Sequence, residues 1–143
     1  MHIRDFRTSD FPRIVKLWEE TGIADPDRGD TLDSIEASLD LGGKFFVMED
    51  QKRQVLVGSS WMTFDGRRMY LHHFCIKPSY QNKGYGTELT KASLQFLKQQ
   101  GYQVKLEVHK DNQIAIRLYT KFGFFKFNDY DILMIRNLEA LSL

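Results

Sequence analysis

Two glycines near the middle of the chain, Gly84 and Gly86, mark a stretch that could bind an anion. An apolar run from Tyr70 to Ile76 precedes them and predicts a strand, whereas the apolar residues after them recur at helical spacing. The turn therefore lies where a strand ends and a helix begins. The first N–H groups of a helix have no partner within the helix, and glycine lets a ligand approach the backbone closely. This arrangement predicts a phosphate site at residues 81–87.

Two common phosphate-binding motifs do not fit this stretch. A P-loop requires Lys and then Ser or Thr after its last glycine, but Thr87 and Glu88 follow Gly86. A dinucleotide fingerprint requires a third glycine three residues after the second, where the chain has Leu89. The plain alternative is an ordinary strand-to-helix turn that contains two glycines.

Two signatures in the chain resemble those of the GCN5-related N-acetyltransferases. The first, Gln81-x-x-Gly84-x-Gly86, resembles the family's Q/R-x-x-G-x-G/A loop, and it follows a strand ending in I-K-P at 76–78, where the family commonly has V-x-P. The second, over residues 106–124, resembles the family pattern L-x-V, N-x-x-A and L-Y-x-x-x-G-F. Its intervals are most similar to those of the branch that acetylates protein N-termini, the ribosomal-protein N-terminal alanine acetyltransferases.

The resemblance implies that the chain binds acetyl-coenzyme A, and no metal cofactor is expected. The glycine turn would hold the pyrophosphate, and the strands before and after its helix would splay so that the pantetheine arm pairs with exposed backbone amides. Asn112 would bond to that arm, or serve only as a helix cap. The coenzyme-binding residues implied in this way are Phe74, Cys75, Ile76, Gln81, Asn82, Lys83, Gly84, Tyr85, Gly86, Thr87, Asn112 and Tyr119.

The same resemblance implies acetyl transfer to an amine by direct attack in a ternary complex, with Glu107 and Tyr119 as the catalytic residues. The acceptor amine is protonated near pH 7 and must lose a proton, which Glu107 would take. The Tyr119 phenol would give a proton to the coenzyme sulfur, since a free phenol with a pKa of about 10 is protonated. The alternatives are a solvent-facing carboxylate that pairs with Lys105 or His109, and a tyrosine of the core.

The strand before the glycine turn contains three further candidate groups. His72 and His73 are alternative bases, and strand alternation predicts that they lie on opposite faces, which disfavours metal binding by the pair. Cys75 as a covalent nucleophile is a weaker hypothesis, because a lone cysteine in a buried strand is more often a small hydrophobe.

The acceptor side is less clearly defined by the sequence. By resemblance, the loop between the first two helices lines the acceptor cleft, and here it contains Asp25, Asp27, Arg28 and Asp30. Its acidic bias could attract a cationic amine, or the loop is simply solvated. The acceptor stays open between a small-molecule amine and a peptide N-terminus or lysine. A different hypothesis is a catalytically silent protein that binds acetyl-coenzyme A as a sensor or partner subunit.

The elements that must position these residues change in type along the chain. The periodicities predict two helices after the first strand, a three-stranded antiparallel meander, a helix over 85–100, and a last helix after Asn112. The strand that follows the 85–100 helix should lie parallel to the strand before it. The predicted strands are 3–7, 44–49, 54–64, 67–76, 103–109, 124–127 and 131–138.

This order predicts one mixed α/β domain over residues 1–143. It resembles the acyl-CoA N-acyltransferase fold, which implies a central mixed, mostly antiparallel, twisted sheet of about seven strands flanked by four helices. The hydrophobic content of 42% and charged content of 27% are those of a globular protein.

Composition also excludes several classes of function. A net charge of +1 provides no basic field for nucleic acid, and the one cysteine excludes an intrachain disulfide and a cysteine-based metal site. No apolar run approaches the ~20 residues of a membrane span, and the first residues lack the apolar core of a signal peptide. We therefore expect a cytoplasmic protein. A homodimer is common among such domains, although no residue specifies one.

Overall fold

The computed structural model describes residues 1–142, apart from the side chain of Pro26. Within that range five strands and four α-helices follow one another, with short 3-10 turns between some of them. Their bounds are β1 (His2–Asp5), α1 (Phe11–Thr21), α2 (Leu32–Asp40), β2 (Lys44–Asp50), β3 (Val55–Phe64), β4 (Met69–Ile76), α3 (Tyr85–Gln100), β5 (Val104–Leu106) and α4 (Gln113–Lys121).

The strands form one sheet in the order β1-β2-β3-β4-β5. The first three neighbouring pairs are antiparallel, so the predicted meander of β2, β3 and β4 is confirmed. β5 pairs with β4 in parallel, as expected for two strands joined by the crossover helix α3. The predicted fold class, a mixed and mostly antiparallel sheet with four helices, is therefore confirmed.

The predicted number of about seven strands is wrong, because the sheet has five strands within residues 1–142. The expected closing pair at 124–127 and 131–138 makes no ladder. β5 ends at Leu106 rather than at residue 109, so the strand at this edge of the sheet is only three residues long. Without a partner backbone, their apolar side chains stay exposed, among them Phe125, Phe127, Ile132, Leu133, Met134 and Ile135.

The sheet carries a pair of helices on each face. α1 and α2 cover one face, hereafter the α1/α2 face, where the rings of Phe6, Trp18, Phe45 and Trp61 stack in the core. α3 and α4 pack on the opposite face, hereafter the α3/α4 face, against apolar side chains of β3 and β4. A ligand that enters the sheet edge between β4 and β5 can therefore meet residues of both layers.

A buried ion cluster fixes the first strand to the first helix. Asp10 is 1% exposed and accepts hydrogen bonds from Arg4, Arg13 and the backbone N–H of Arg7. Glu49 on β2 pairs with Arg4 and Arg13 as well. Burial disfavours the Asp10 carboxylate, but its bonds to Arg4 and to the backbone outweigh that effect and lower its pKa to about 2.

Asp10→Asn should destabilise the fold by about 2–4 kcal/mol near pH 7, because it leaves Arg4 buried without its main counter-charge. The pKa of Asp10 is lower in the folded than in the unfolded chain. Its contribution is therefore complete above its ordinary pKa of 3.8 and is lost as pH falls towards 2. Urea unfolding of the two proteins should show the difference narrowing between about pH 7 and about pH 3.

The control for this comparison is Asp33→Asn, which removes an exposed carboxylate from the first turn of α2. It should change the unfolding free energy by less than about 0.5 kcal/mol. An Asp10→Asn effect that is the same at both pH values would assign the loss to packing and contradict the charge argument.

Candidate active site

The turn predicted to bind an anion presents a run of free backbone amides. A 3-10 turn over Pro78–Tyr80 follows β4, and α3 begins at Tyr85. Asn82 and Gly84 have positive φ angles of 60° and 86°, a conformation found where successive N–H groups converge on an anion. The N–H groups of residues 82–87 donate no hydrogen bond within the part of the chain that the structure describes. These donors and the positive end of α3 fit a diphosphate group.

The two glycines of the turn meet different requirements. Gly84 has a φ of +86° and open space around an added Cβ, so it is required for its backbone conformation. A Cβ on Gly86 would lie 3.6 Å from Leu118 and 3.8 Å from Ile76, which are ordinary contact distances. Position 86 therefore faces the protein and has room for alanine, whereas position 84 does not tolerate a side chain without strain.

Side chains tie the turn to the end of β4. Gln81 Nε2 donates a hydrogen bond of 2.8 Å to the backbone carbonyl of Ile76. Lys83 Nζ donates to the carbonyl of Ser79 at 3.2 Å and lies over the ring of Tyr80. The turn is thus held in place by its own side chains, and Lys83 adds a positive charge beside the free amides.

β4 and β5 separate beyond a short shared segment. They pair only over residues 69–71 and 104–106, so the splay implied by the family resemblance is present. The N–H group of Lys77 donates to β3, and alternation therefore directs the N–H groups of Ile76 and Phe74 towards the gap left by β5. This unpaired edge of β4 leads to the glycine turn, where an extended ligand arm could complete the ladder.

A β-bulge interrupts β4 opposite β3. Ser59 pairs with Cys75 and Trp61 pairs with His72, so two residues of β4 oppose one residue of β3. His73 lies in this bulge with a φ of +44°. The rings of His72 and His73 lie 6.0 Å and 5.4 Å from Trp61, both on the α1/α2 face. The prediction that the two histidines face opposite sides is therefore wrong, because the extra residue breaks the alternation.

His73 occupies a pocket formed by aromatic rings and a carboxylate. Its side chain is 6% exposed, and its ring centroid lies 4.4 Å from that of Trp18. Nε2 lies 2.7 Å from Oδ2 of Asp30 without the alignment of a hydrogen bond, and Nδ1 has no hydrogen-bond partner within residues 1–142. Burial lowers the pKa of the imidazole, and the Asp30 carboxylate only partly opposes this shift. The ring is therefore neutral near pH 7.

A hydrogen-bonded chain links this pocket to the bulge. The indole N–H of Trp18 donates to Ser59 Oγ at 3.0 Å, and Ser59 Oγ donates to the backbone carbonyl of His73 at 2.6 Å. Sequence reasoning missed the role of Trp18 and Ser59, because Trp18 appears there only as one residue of an apolar helical stripe. A tryptophan has an N–H that requires a buried partner, which is the signal that could have identified the pair.

Cys75 is buried on the α1/α2 face, and its Sγ lies 3.3 Å from Ser59 Oγ. Burial raises the pKa of its thiol. A protonated, enclosed thiol is a poor nucleophile, so the geometry opposes the hypothesis of covalent catalysis by Cys75.

Tyr119 on α4 borders the gap between β4 and β5. Its ring packs against Phe74 and Phe124, with centroid distances of 5.8 Å and 5.5 Å. The residue is 7% exposed, and within residues 1–142 its hydroxyl has no hydrogen-bond partner. Burial raises the pKa of the phenol above its ordinary value. Tyr119 is therefore both a core residue and a protonated hydroxyl that is available to a ligand.

Glu107 and Asn112 lie at the far side of the gap. Glu107 is exposed and directly follows the last residue of β5. Burial and the adjacent His73 lower the pKa of His72, and the Glu107 carboxylate opposes this shift. Asn112 Oδ1 accepts a hydrogen bond from the N–H of Ala115 at 3.2 Å, which confirms the predicted helix cap.

No cluster of three or more His, Cys, Asp or Glu side chains that could hold a metal ion occurs among the described residues. None of the helices within residues 1–142 is both long and apolar enough to cross a membrane.

Several proteins of known structure share this fold. An acetyltransferase of the GNAT family from Staphylococcus aureus Mu50 superposes with a TM-score of 0.77 and 20% identity, covering 90% of this chain and 85% of that one. The ribosomal-protein-S18-alanine N-acetyltransferase from Escherichia coli superposes with a TM-score of 0.73 and 19% identity, covering 89% of this chain and 79% of that one.

Sequence comparison leads to the same family. A protein named as an acetyltransferase in Sodalis glossinidius (strain morsitans) is 29% identical over 125 residues, which is 87% of each chain. A second acetyltransferase, from Yersinia enterocolitica, is 26% identical over the same shares. The model of the acetyltransferase (GNAT) family matches residues 4–124. With the glycine turn at the head of α3 and the splayed strands beside it, this match shows that the chain belongs to the GNAT acetyltransferase family.

Proposed function

We propose that this protein is an acetyl-coenzyme A-dependent N-acetyltransferase that transfers an acetyl group to a primary amine by direct attack in a ternary complex. The observation that carries the proposal is the run of free N–H groups at residues 82–87 beside the unpaired edge of β4. Six amides at the positive end of a 16-residue helix form a site for a diphosphate. The unpaired N–H groups of Phe74 and Ile76 suit an extended, amide-containing arm.

The turn and β4 would hold the two ends of the coenzyme. The amides of residues 82–87 and the ammonium of Lys83 bind the pyrophosphate, while Gln81 keeps the turn against Ile76. The backbone from Phe74 to Ile76 pairs with the pantetheine arm, and Asn112 borders it from the start of α4. Acetyl-coenzyme A supplies the acetyl group as a thioester.

Two side chains would move the protons of the reaction. Glu107 takes the proton of the acceptor amine as the amine nitrogen bonds to the acetyl carbon, and His72 on β4 is the second candidate for this role. Tyr119 gives its phenol proton to the sulfur as the carbon–sulfur bond breaks, and the phenolate takes up the remaining proton that the nitrogen loses as the amide forms. The raised pKa and the unpartnered hydroxyl of Tyr119 support this role, because the proton is retained until a ligand accepts it.

Two similarities bear on the class of the acceptor amine. The Leu106-Glu107-Val108 segment resembles the branch that acetylates ribosomal-protein N-termini, and the fold matches the alanine N-acetyltransferase from Escherichia coli. A peptide N-terminus and a small amine are both primary amines that this gap could admit.

A substitution pair at the glycine turn tests coenzyme binding. Gly84→Ala should weaken binding of coenzyme A by about tenfold or more, because a side chain at φ +86° costs about 1–2 kcal/mol and turns the amides away. Gly86→Ala is the matched control. Its methyl group would meet only ordinary contacts with Leu118 and Ile76, so its affinity should stay within about threefold of wild type. Titration calorimetry with coenzyme A measures both. Equal affinities for the two variants would contradict the proposed site.

Tyr119→Phe tests the proton donor. The change keeps the ring packed against Phe74 and Phe124 and removes only the hydroxyl, so kcat should fall by about 10²-fold while acetyl-coenzyme A affinity changes little. Thiol release under saturating acetyl-coenzyme A measures kcat, and calorimetry measures affinity. An unchanged kcat would exclude Tyr119 as the acid.

Glu107→Gln tests the base. The kcat/KM of the variant should fall by about 10²-fold near pH 7 and recover as pH rises, because a growing fraction of the acceptor amine is already unprotonated. Asp111→Asn changes an equally exposed carboxylate a few residues further on and should have little effect. If Glu107→Gln behaves like Asp111→Asn while His72→Gln is impaired, the base is His72 instead.

A further inference from the structure

A cavity of about 170 Å³ opens on the α1/α2 face beside His73. Its lining is acidic and aromatic, and consists of Val15, Trp18, Glu19, Ala24, Asp25 and Asp30. Three of these six residues are carboxylates, and none is a cation. Trp18 adds the face of an indole, which attracts cations as well.

Asp30 stands in this cavity without a permanent positive partner. Its near neighbour is the imidazole of His73, whose Nε2 lies 2.7 Å away and which is neutral near pH 7. The Asp30 side chain is 18% exposed, so water solvates its carboxylate only in part. A partly buried carboxylate that faces a neutral ring is a strong site for a cationic group.

His73, which contacts Asp30 at the wall of the cavity, provides a second observation. Its side chain is more than nine-tenths buried, its Nδ1 has no partner within residues 1–142, and its ring is directed at Asp30. The residue is held in a left-handed conformation at φ +44°, which costs about 1–3 kcal/mol. Strain and an unpaired buried polar atom at one residue are typical of a functional site.

The positive charges near the cavity reduce its acidity only in part. Arg28 Nε lies 3.6 Å from Asp25 Oδ2 in a half-exposed pair, and Arg136 donates to the backbone carbonyl of Asp27. Exposed pairs of this kind contribute little because solvent screens them. Within residues 1–142 Glu19 forms no ion pair, and the only basic group that Asp30 contacts is the imidazole of His73.

The cavity also lies close to the end of the acetyl site. Trp18 in its wall is bonded through Ser59 to the backbone carbonyl of His73, and the next residue, Phe74, directs its N–H group into the gap between β4 and β5. His73, which contacts Asp30, therefore adjoins the backbone that borders the gap.

We propose that this cavity binds a second ammonium group of the acceptor, so that the enzyme prefers an amine with two positive charges over an amine with one. The reacting amine lies at the gap, while the other ammonium lies among Asp30, Glu19 and the face of Trp18. This inference rests on the proposed acetyltransferase function and specifies its substrate class.

A pair of matched acceptors tests the preference. The diamine 1,4-diaminobutane and the amino alcohol 4-amino-1-butanol have the same reach, and a hydroxyl replaces the second ammonium in the latter. The ratio of their kcat/KM values should be about tenfold or more in the wild-type protein. It should fall towards one in Asp30→Asn and in Glu19→Gln. The ratio does not depend on how much of a variant is folded, so partial unfolding cannot imitate the effect.

Asp27→Asn is the control, because Asp27 belongs to the same acidic loop but its side chain does not line the cavity. Its ratio should equal that of the wild type. A wild-type ratio near one, or a ratio that Asp30→Asn and Glu19→Gln leave unchanged, overturns the inference.

Calorimetry with the two acceptors, on the protein saturated with coenzyme A, separates this inference from the proposed function. If neither acceptor is acetylated, tighter binding of the diamine that is lost in Asp30→Asn still supports the cavity, and equal binding overturns it. Failure of the proposed function would instead appear as an absence of acetyl transfer to any primary amine, whether or not coenzyme A binds.

Discussion

The early separation of β4 from β5 is the constraint on which the rest of this structure depends. Two parallel strands that paired along their full length would satisfy their backbone groups with each other, at about 0.5–1.5 kcal/mol per hydrogen bond. Here the pairing ends after three residues, and the edge of β4 from Phe74 to Ile76 keeps its donors free. The crossover helix α3 holds β5 in place and begins at the glycine turn. The separation therefore creates a slot that has free backbone N–H donors along one side and the N-terminus of α3 at its end.

β4 carries side chains that pack on both faces of the sheet. Its bulge turns His73 towards the α1/α2 face, while Phe74 packs against Tyr119 on the opposite face. The strain at His73 is offset by its contact with Trp18 and by the hydrogen bond that Ser59 donates to its carbonyl. A change at the bulge would thus alter both the packing around Tyr119 and the contact of His73 with Asp30.

The sequence predicted those features that short segments determine by themselves. Helices, strands, the parallel crossover and the glycine turn follow from local period, from glycine chemistry and from handedness. The number of strands did not follow, because a ladder depends on two segments. The residues after 124 are predicted as strands, yet they form no ladder, and β5 at the sheet edge ends at Leu106.

The candidate site shows the same division. The turn at residues 81–87 and the cap at Asn112 could be predicted locally, and the family resemblance supplied Glu107 and Tyr119 as hypotheses. The orientation of His73 could not be predicted. An extra residue in a bulge reverses the alternation of side chains between the two faces of the strand, and the sequence contains no signal of this bulge. Its partner Asp30 lies 43 positions earlier in the chain, where the sequence indicates only a polar loop.

The reactivity of the single cysteine can report local opening of the sheet. Cys75 is enclosed in the sheet two residues after the bulge, and its thiol is held in the unreactive protonated form. A thiol-specific reagent can reach it only when this region opens, so the labelling rate measures how often the sheet loosens there. Because the same backbone lines the slot, a bound ligand that completes the ladder would slow the labelling, and occupancy could be followed without any introduced probe.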